Sequence, residues 1–468
     1  MYIERKLENK IKKYLDSPEI IAIVGPRQSG KTTLARKIFN NLENSIFISF
    51  EDISLRRLFD EDTDTFCKQH ITPYRYICID EFQYSRAGGQ RLKYIYDTFP
   101  GKKLFITGSS SIDLTVKTLR FLVGRIFIFQ LFPLSFDEFL DFRDRNLFKL
   151  LEEEPGTIIT KGFHPSIHER LSRWFKEFSV YGGFPRVVLS DNIEEKREVL
   201  KNLFLTFIMR DVKDFVNLRE DYKLNRLVKA LSFQVGNIIS FNELSQVSEL
   251  TYPSVKSYLN ILEKTFIIKL VSPFYTNKRT ELVKSPKVYF VDTGLRDEVA
   301  SNFLLPDDRG DKGALLENFL FSEFLKNGIV PNFWRSKSNA EVDFVWEMEN
   351  RTIAVEAKSK LKRGDVPVSL KSFMERYNPG KVFIVNESLL EKRGDVVFLP
   401  YYLLSILFRV LPADAQYGLR AKPIFFYFFI SLRPIFQWLF SWFPYPGEVY
   451  QSLLRFHSCQ STSKKGLN

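Results

Sequence analysis

The chain has 468 residues, 44% hydrophobic and 26% charged, which is ordinary for a soluble globular protein and long enough for two or three domains with separate cores. A formal net charge of +12 favours acidic partners, nucleic acid first among them, although a solvated basic surface accounts for the same number. Cys67, Cys78 and Cys459 lack CxxC spacing and exclude a structural zinc cage, and residues 1–13 are charged without an apolar core, so a reducing, cytoplasmic setting is expected.

Apolar runs rich in Ile and Val at 20–24, 45–50, 76–79, 104–107 and 125–130 alternate with helical patterns. Such bounded runs predict a parallel sheet covered on both faces. Between the first run and a helix over 32–39 stands Gly25-Pro26-Arg27-Gln28-Ser29-Gly30-Lys31-Thr32-Thr33, a full match to G-x-x-x-x-G-K-[ST] in the strand-to-helix setting that a P-loop requires. Its glycines let backbone N–H groups turn inward on a β-phosphate, and the helix start adds positive potential. Lys31 then reaches the β- and γ-phosphates and the Thr32 hydroxyl ligates Mg²⁺, so ATP and Mg²⁺ are the expected ligands of residues 25–33.

The third run ends in Asp80-Glu81, two carboxylates at the strand end where open α/β sheets bind ligands. Asp80 is expected in the Mg²⁺ shell and Glu81 as the general base for water. A pair of acids after a strand is also a common solvated cap; the P-loop is what gives this one meaning. The fourth run leads into Gly108-Ser109, where Ser109 is a candidate γ-phosphate sensor and equally a residue of a polar turn. Arg125, after Gly124, is a candidate arginine finger in cis or in trans, or the partner of a surface carboxylate.

Ser135 reads as the N-cap of a helix with Glu138 three residues on. These elements make residues 1–160 the core, and 161–235 a helical lid or connector interrupted by Gly182-Gly183-Phe184-Pro185. Within 236–295, Ser240 and Thr251 cap two short helices and strands at 266–271 and 287–291 flank the basic loop Asn277-Lys278-Arg279, the order of a winged helix-turn-helix. Residues 296–410 open on an apolar helix over 315–325 and continue in strands at 333–335, 341–346, 352–357 and 381–385. The aromatic tail, 411–468, fits none of these patterns. Its run 423–443 is broken by Arg433-Pro434 and falls short of a membrane span, which leaves a membrane contact, a partner surface or an unrelated appendage open.

Taken in order, GPRQSGKTTL, IDEFQ, ITGSSS, LVGR with FPLSFDEF, YGGFP, VDTGL, LENFLFSEF and EVDFVWE with VEAKSK resemble prokaryotic AAA-superfamily ATPases with a C-terminal domain of uncharacterised function. The resemblance runs from about residue 20 to about residue 404. It implies an α/β protein: a P-loop AAA-like ATPase core with a helical lid, a winged-helix segment and a restriction-endonuclease-like α/β domain. It also implies nucleotide and Mg²⁺ positions at Lys31, Thr32, Asp80 and Glu81.

A second constellation lies in the last of these segments. Asp343, then Glu356 and Lys358 two residues apart on the next strand, follow the D…(D/E)-x-K order of metal-dependent nucleases. There two carboxylates hold Mg²⁺ against a scissile phosphate and the lysine supports the attacking hydroxide. Alternation on a strand puts Glu356 and Lys358 on one face, and Glu317 on the preceding helix can complete the shell. The pattern is short, and charged strand faces are often merely solvated. Ser254, Lys256, Ser257, Asn260 and Lys264 on the second short helix, with Lys278 and Arg279 in the wing, suit DNA contacts or else a solvated basic connector. The leading expectation is a Mg-dependent ATPase whose nucleotide state controls a DNA-interacting, nuclease-like module. The alternative is a slow ATPase switch or scaffold that binds a protein partner, or assembles with itself, and has a catalytically silent C-terminal domain.

Overall fold

The computed structural model describes residues 1–108, 121–206, 221–275, 281, 284–348, 351–361 and 365–411. Ser109, Lys278, Arg279, Cys459 and the whole aromatic tail beyond 411, with its membrane reading, lie outside the described residues.

The five apolar runs form one parallel sheet, β1 (Ile20–Val24), β2 (Ser45–Ser49), β3 (Tyr76–Asp80), β4 (Lys103–Gly108) and β5 (Ile126–Gln130), in the order β2-β3-β4-β1-β5. β1 and β4 are buried along their whole length, as expected of strands covered on both faces. Alternate residues serve the two sides: Ile21 and Ile23 pack with Leu34, Ala35 and Ile38 of the helix Lys31–Phe39, while Ile20, Ala22 and Val24 face the larger core. The helix Phe136–Arg143 starts on the foreseen capping box, with Ser135 and Glu138 satisfying each other's backbone N–H groups.

The lid segment is helical as read, with helices Pro165–Tyr181, Pro185–Leu189, Ile193–Leu203 and Asp221–Phe233. Helices Phe241–Ser248 and Tyr252–Lys264 follow, capped by Ser240 and Thr251, and then an antiparallel pair, β6 (Ile268–Val271) and β7 (Lys287–Phe290). β6 starts later than the apolar pattern suggests because Phe266 sits at φ +60°, which a strand does not accept.

The last segment has the helix Lys312–Lys326 and a six-stranded mixed sheet in the order β12-β13-β11-β10-β9-β8. Its strands are β8 (Asn332–Arg335), β9 (Glu341–Met348), β10 (Arg351–Ala357), β11 (Lys381–Asn386), β12 (Glu391–Arg393) and β13 (Val396–Pro400). β12, β13 and the helix Val368–Tyr377 are additions to the sequence reading. β13 runs straight into the apolar stretch of the helix Leu404–Val410, so period alone does not separate them.

The described residues hold three apolar cores, the largest of which spans several segments. That core runs unbroken from β1 to Leu411, because the helix Lys312–Lys326 is apolar on nearly every side and inserts between segments. Its Phe319 lies edge-on to Phe136, Phe175 and Phe178 at 6.3, 4.9 and 6.2 Å. Among the described residues no helix is long and apolar enough to cross a membrane.

Candidate functional site

β1 delivers the P-loop at its carboxyl end. Gly25 has to be glycine because a Cβ there would meet Leu131 O at 2.1 Å, and Gly30 caps the helix at φ +96°, in the left-handed region. Gln28 shares that region at φ +58°. Lys31 is buried and its Nζ donates to Gly25 O (3.1 Å) and Pro26 O (2.8 Å). Burial lowers its pKa to about 8, with Glu81 and Asp80 pulling the other way. Pro26, Arg27 and Thr33 stand in the loop and first turn as the motif requires.

The register brings the Asp80–Glu81 pair to the same place. β4 pairs with both β1 and β3, with Ile23 opposite Thr107 and Ile79 opposite Ile106, so Thr107 lies level with Asp80. Thr32 Oγ1 is 3.0 Å from both Asp80 oxygens. Thr107 Oγ1 also donates to Asp80, and accepts from Glu81 N at 3.2 Å. Glu81 holds a left-handed backbone at φ +53°, strain of the kind that clusters at functional sites. Behind it Phe82 packs against Phe50 and Phe59, which fixes the turn. Burial raises the Glu81 carboxyl, opposed by the hydrogen bond from Gln83 and by Lys31.

The residues present fit a nucleotide-bound Mg²⁺. Thr32 and Asp80 supply the hard oxygen donors that this ion takes, and Ser29 Oγ is buried in the loop without a hydrogen-bond partner. Sequence reasoning missed Arg5 and Thr107 as supports of this site and read Glu138 only as part of a cap. Arg5 is buried and donates to Ser29 O (2.8 Å), Phe132 O (2.6 Å) and Glu138 (3.2 Å), tying the back of the P-loop to the chain after β5. Glu138 serves as cap and as Arg5's partner, and Thr107 positions Asp80. A buried-side Thr at the end of an apolar strand was the one signal available.

Arg125 is not where a finger acting in cis has to be. It precedes β5, and its backbone O accepts from Ile20 N at the amino end of β1, so the length of the strand, roughly 16 Å, separates it from the phosphate end. Its side chain pairs with Asp97 at 3.0 Å, the surface-carboxylate alternative.

The second constellation does come together. Asp343 on β9 faces β10, where its Oδ2 accepts from Ala357 N at 2.8 Å and its own N–H points at Glu356 Oε2 at 3.4 Å. Lys358 Nζ is 2.6 Å from Glu356 Oε1. Glu317 reaches the cluster from the helix Lys312–Lys326. Three unforeseen residues join it. Lys287, on β7, is 1% exposed and lies 2.6 Å from Glu341, 3.2 Å from Glu317 and 4.0 Å from Asp343. Tyr289 Oη donates to Glu317 at 2.5 Å. Burial raises the carboxyls of Glu317, Asp343 and Glu356 against the pull of the lysines. Burial alone would lower Lys287, but Glu317, Asp343 and Glu341 outweigh it and hold it above the ordinary lysine range. Among the described residues no group of three His, Cys, Asp or Glu side chains is arranged to hold a metal ion.

Residues 17–140 match a family model described as an AAA domain. Residues 172–303 and 312–404 each match a model described as a domain of unknown function; the first spans the lid together with the helix–hairpin segment. An uncharacterized protein of Methanocaldococcus jannaschii is 28% identical over 72% of this chain and 74% of its own length. One of Haemophilus influenzae is 25% identical over 71% and 80%. Among solved structures, a Walker-type ATPase of Pyrococcus abyssi covers 64% of this chain and 96% of its own at 17% identity and a TM-score of 0.41. Over residues 17–140 the chain is thus similar to AAA domains, and this stretch holds the P-loop and the strand-end acids described above.

Proposed function

We propose that the protein is a Mg-dependent ATP hydrolase in which Lys31 and the P-loop amides hold the β- and γ-phosphates, Thr32 and Asp80 hold the ion, and Glu81 takes the proton of the attacking water. The observation that carries this reading is the meeting of Thr32, Asp80, Thr107 and Glu81 beside Lys31, brought together from the helix after β1 and from the ends of β3 and β4. Lys31 gives up Gly25 O and Pro26 O for phosphate oxygens when nucleotide binds. Bound Mg²⁺ neutralises charge on the phosphates. Asp80 is fixed for its task by two hydroxyls, and the desolvated Glu81 carboxylate is a stronger base than a free one.

The experiment is ATP turnover by purified full-length protein. Lys31→Ala is expected to lose nucleotide binding. Glu81→Gln is expected to bind ATP normally but hydrolyse it about 10²–10⁴-fold more slowly, the usual worth of a general base. Turnover by Glu81→Gln at the wild-type rate would remove Glu81 from the mechanism.

The nucleotide state has a contact route to the rest of the chain. A Cβ on Gly30 would lie 3.8 Å from Pro185, Gly183 O accepts from Leu134 N at 2.7 Å, and Gly183 N donates to Asp292 at 2.8 Å, two residues past β7. On this reading the winged-helix segment and its exposed Lys256, Ser257 and Asn260 face DNA, and ATP sets the position of that segment. A second reading, a switch whose nuclease-like C-terminal domain is catalytically silent, is favoured by one observation: the buried Lys287 ion-pairs with Glu317 and with Glu341, and stands 4.0 Å from Asp343.

A further inference from the structure

The D…ExK order leads one to expect a divalent ion at Asp343 and Glu356. What stands against these carboxylates is a side chain from another segment. Lys287 belongs to β7, in the stretch 172–303, whereas Glu317, Glu341, Asp343 and Glu356 belong to the stretch 312–404. The ammonium is in direct contact with Glu341 and Glu317 and at the edge of contact with Asp343. The Phe333 ring lies 5.3 Å away and closes one side. Tyr289, two residues along the same strand, donates to the Glu317 oxygen that Lys287 also holds. The backbone presses in as well: Gly236, joined to β7 by a hydrogen bond to Val288 O, leaves no room for even a Cβ, which would meet Glu317 at 2.8 Å. Of the other carboxylate oxygens, Asp343 Oδ2 accepts from Ala357 N and Glu356 Oε1 pairs with Lys358.

We propose that Lys287 is a built-in counter-cation that keeps Mg²⁺ out of the Asp343–Glu356 site for as long as the β6–β7 hairpin is docked. A divalent ion entering the cluster would meet a buried ammonium of like sign with no water to screen it. The nuclease-like constellation is therefore locked by its neighbour, and only withdrawal of β7 frees the carboxylates. The inference rests on the nuclease-like reading of the pattern, so it is tested by metal binding and not by cleavage.

The measurement is Mn²⁺ titration of the nucleotide-free full-length protein, read by electron paramagnetic resonance. Wild type and Lys287→Arg are expected to show no saturable site in the cluster. Lys287→Met should gain one Mn²⁺ per chain, with affinity at least tenfold tighter than any residual wild-type binding, and should lose it again when Asp343→Asn is added. A wild-type site that Asp343→Asn abolishes overturns the proposal, even if Lys287→Met fails to fold. A folded Lys287→Met chain that gains no site overturns it too. A variant that binds Mn²⁺ yet leaves plasmid uncut supports the lock while the nuclease reading fails.

Discussion

Arg5 shows what one buried side chain does for the phosphate site. Its guanidinium satisfies Ser29 O and Phe132 O and pairs with Glu138, with all of the groups out of water. Arg5→Met leaves two buried carbonyls and a carboxylate short of a partner, a change that costs about 3–5 kcal/mol. The expected outcome is a lower melting temperature together with ATP affinity weakened at least tenfold, checked by thermal melts with and without nucleotide; melting unchanged by the substitution would contradict it. Lys31, Thr32, Asp80 and Glu81 were legible in the sequence because the P-loop has fixed local spacing and a strand end announces the acids. Arg5 was not. Its partners lie 24, 127 and 133 positions away, and nothing in a short window says that a charged amino-terminal residue will be buried.

At the scale of elements, capping chemistry reads well because it is local: Ser135, Ser240 and Thr251 all cap the helices they were expected to start. Lys287 escaped notice for the opposite reason. It opens a strand whose other residues are apolar, and only the pairing of β7 against the helix Lys312–Lys326 turns it toward Glu317. The helix Tyr252–Lys264 offers a prediction of its own. Its Val255, Tyr258, Leu259 and Leu262 are buried while Lys256, Ser257 and Asn260 are exposed on the other side. If that face meets DNA, Lys256→Ala should weaken binding to all sequences alike and reduce the slope of log affinity against log salt by about 1. Identical affinity and slope in a fluorescence anisotropy titration would make the helix a connector.

For the whole molecule, the stretch that joins the helix Thr293–Ala300 to the helix Lys312–Lys326 carries a largely buried cluster of charge. Arg309 and Arg296 each sit 2.6 Å from Asp311, and both also pair with Asp297. Burial pushes Asp311 up, but the guanidiniums outweigh it and hold it at about 2, below the 3.8 of a free carboxyl. The unfolded chain therefore takes up this proton first, so the stabilisation is complete above about pH 4 and is lost as pH falls toward 2. Asp297 has the opposite sign. Burial pushes it up to about 6, so its ionisation between roughly pH 4 and 6 costs stability. Asp311→Asn is accordingly expected to flatten the fall of melting temperature between pH 4 and pH 2; a slope equal to wild type would refute the assignment.

The helix Lys312–Lys326 has a consequence for how this protein can be handled. Glu323 receives the N–H of Phe136, and Phe319 fills the space among three rings of the ATPase half. A gene trimmed after residue 303 would make a polypeptide whose bared aromatic wall seeks any other greasy surface, and inclusion bodies are the natural product.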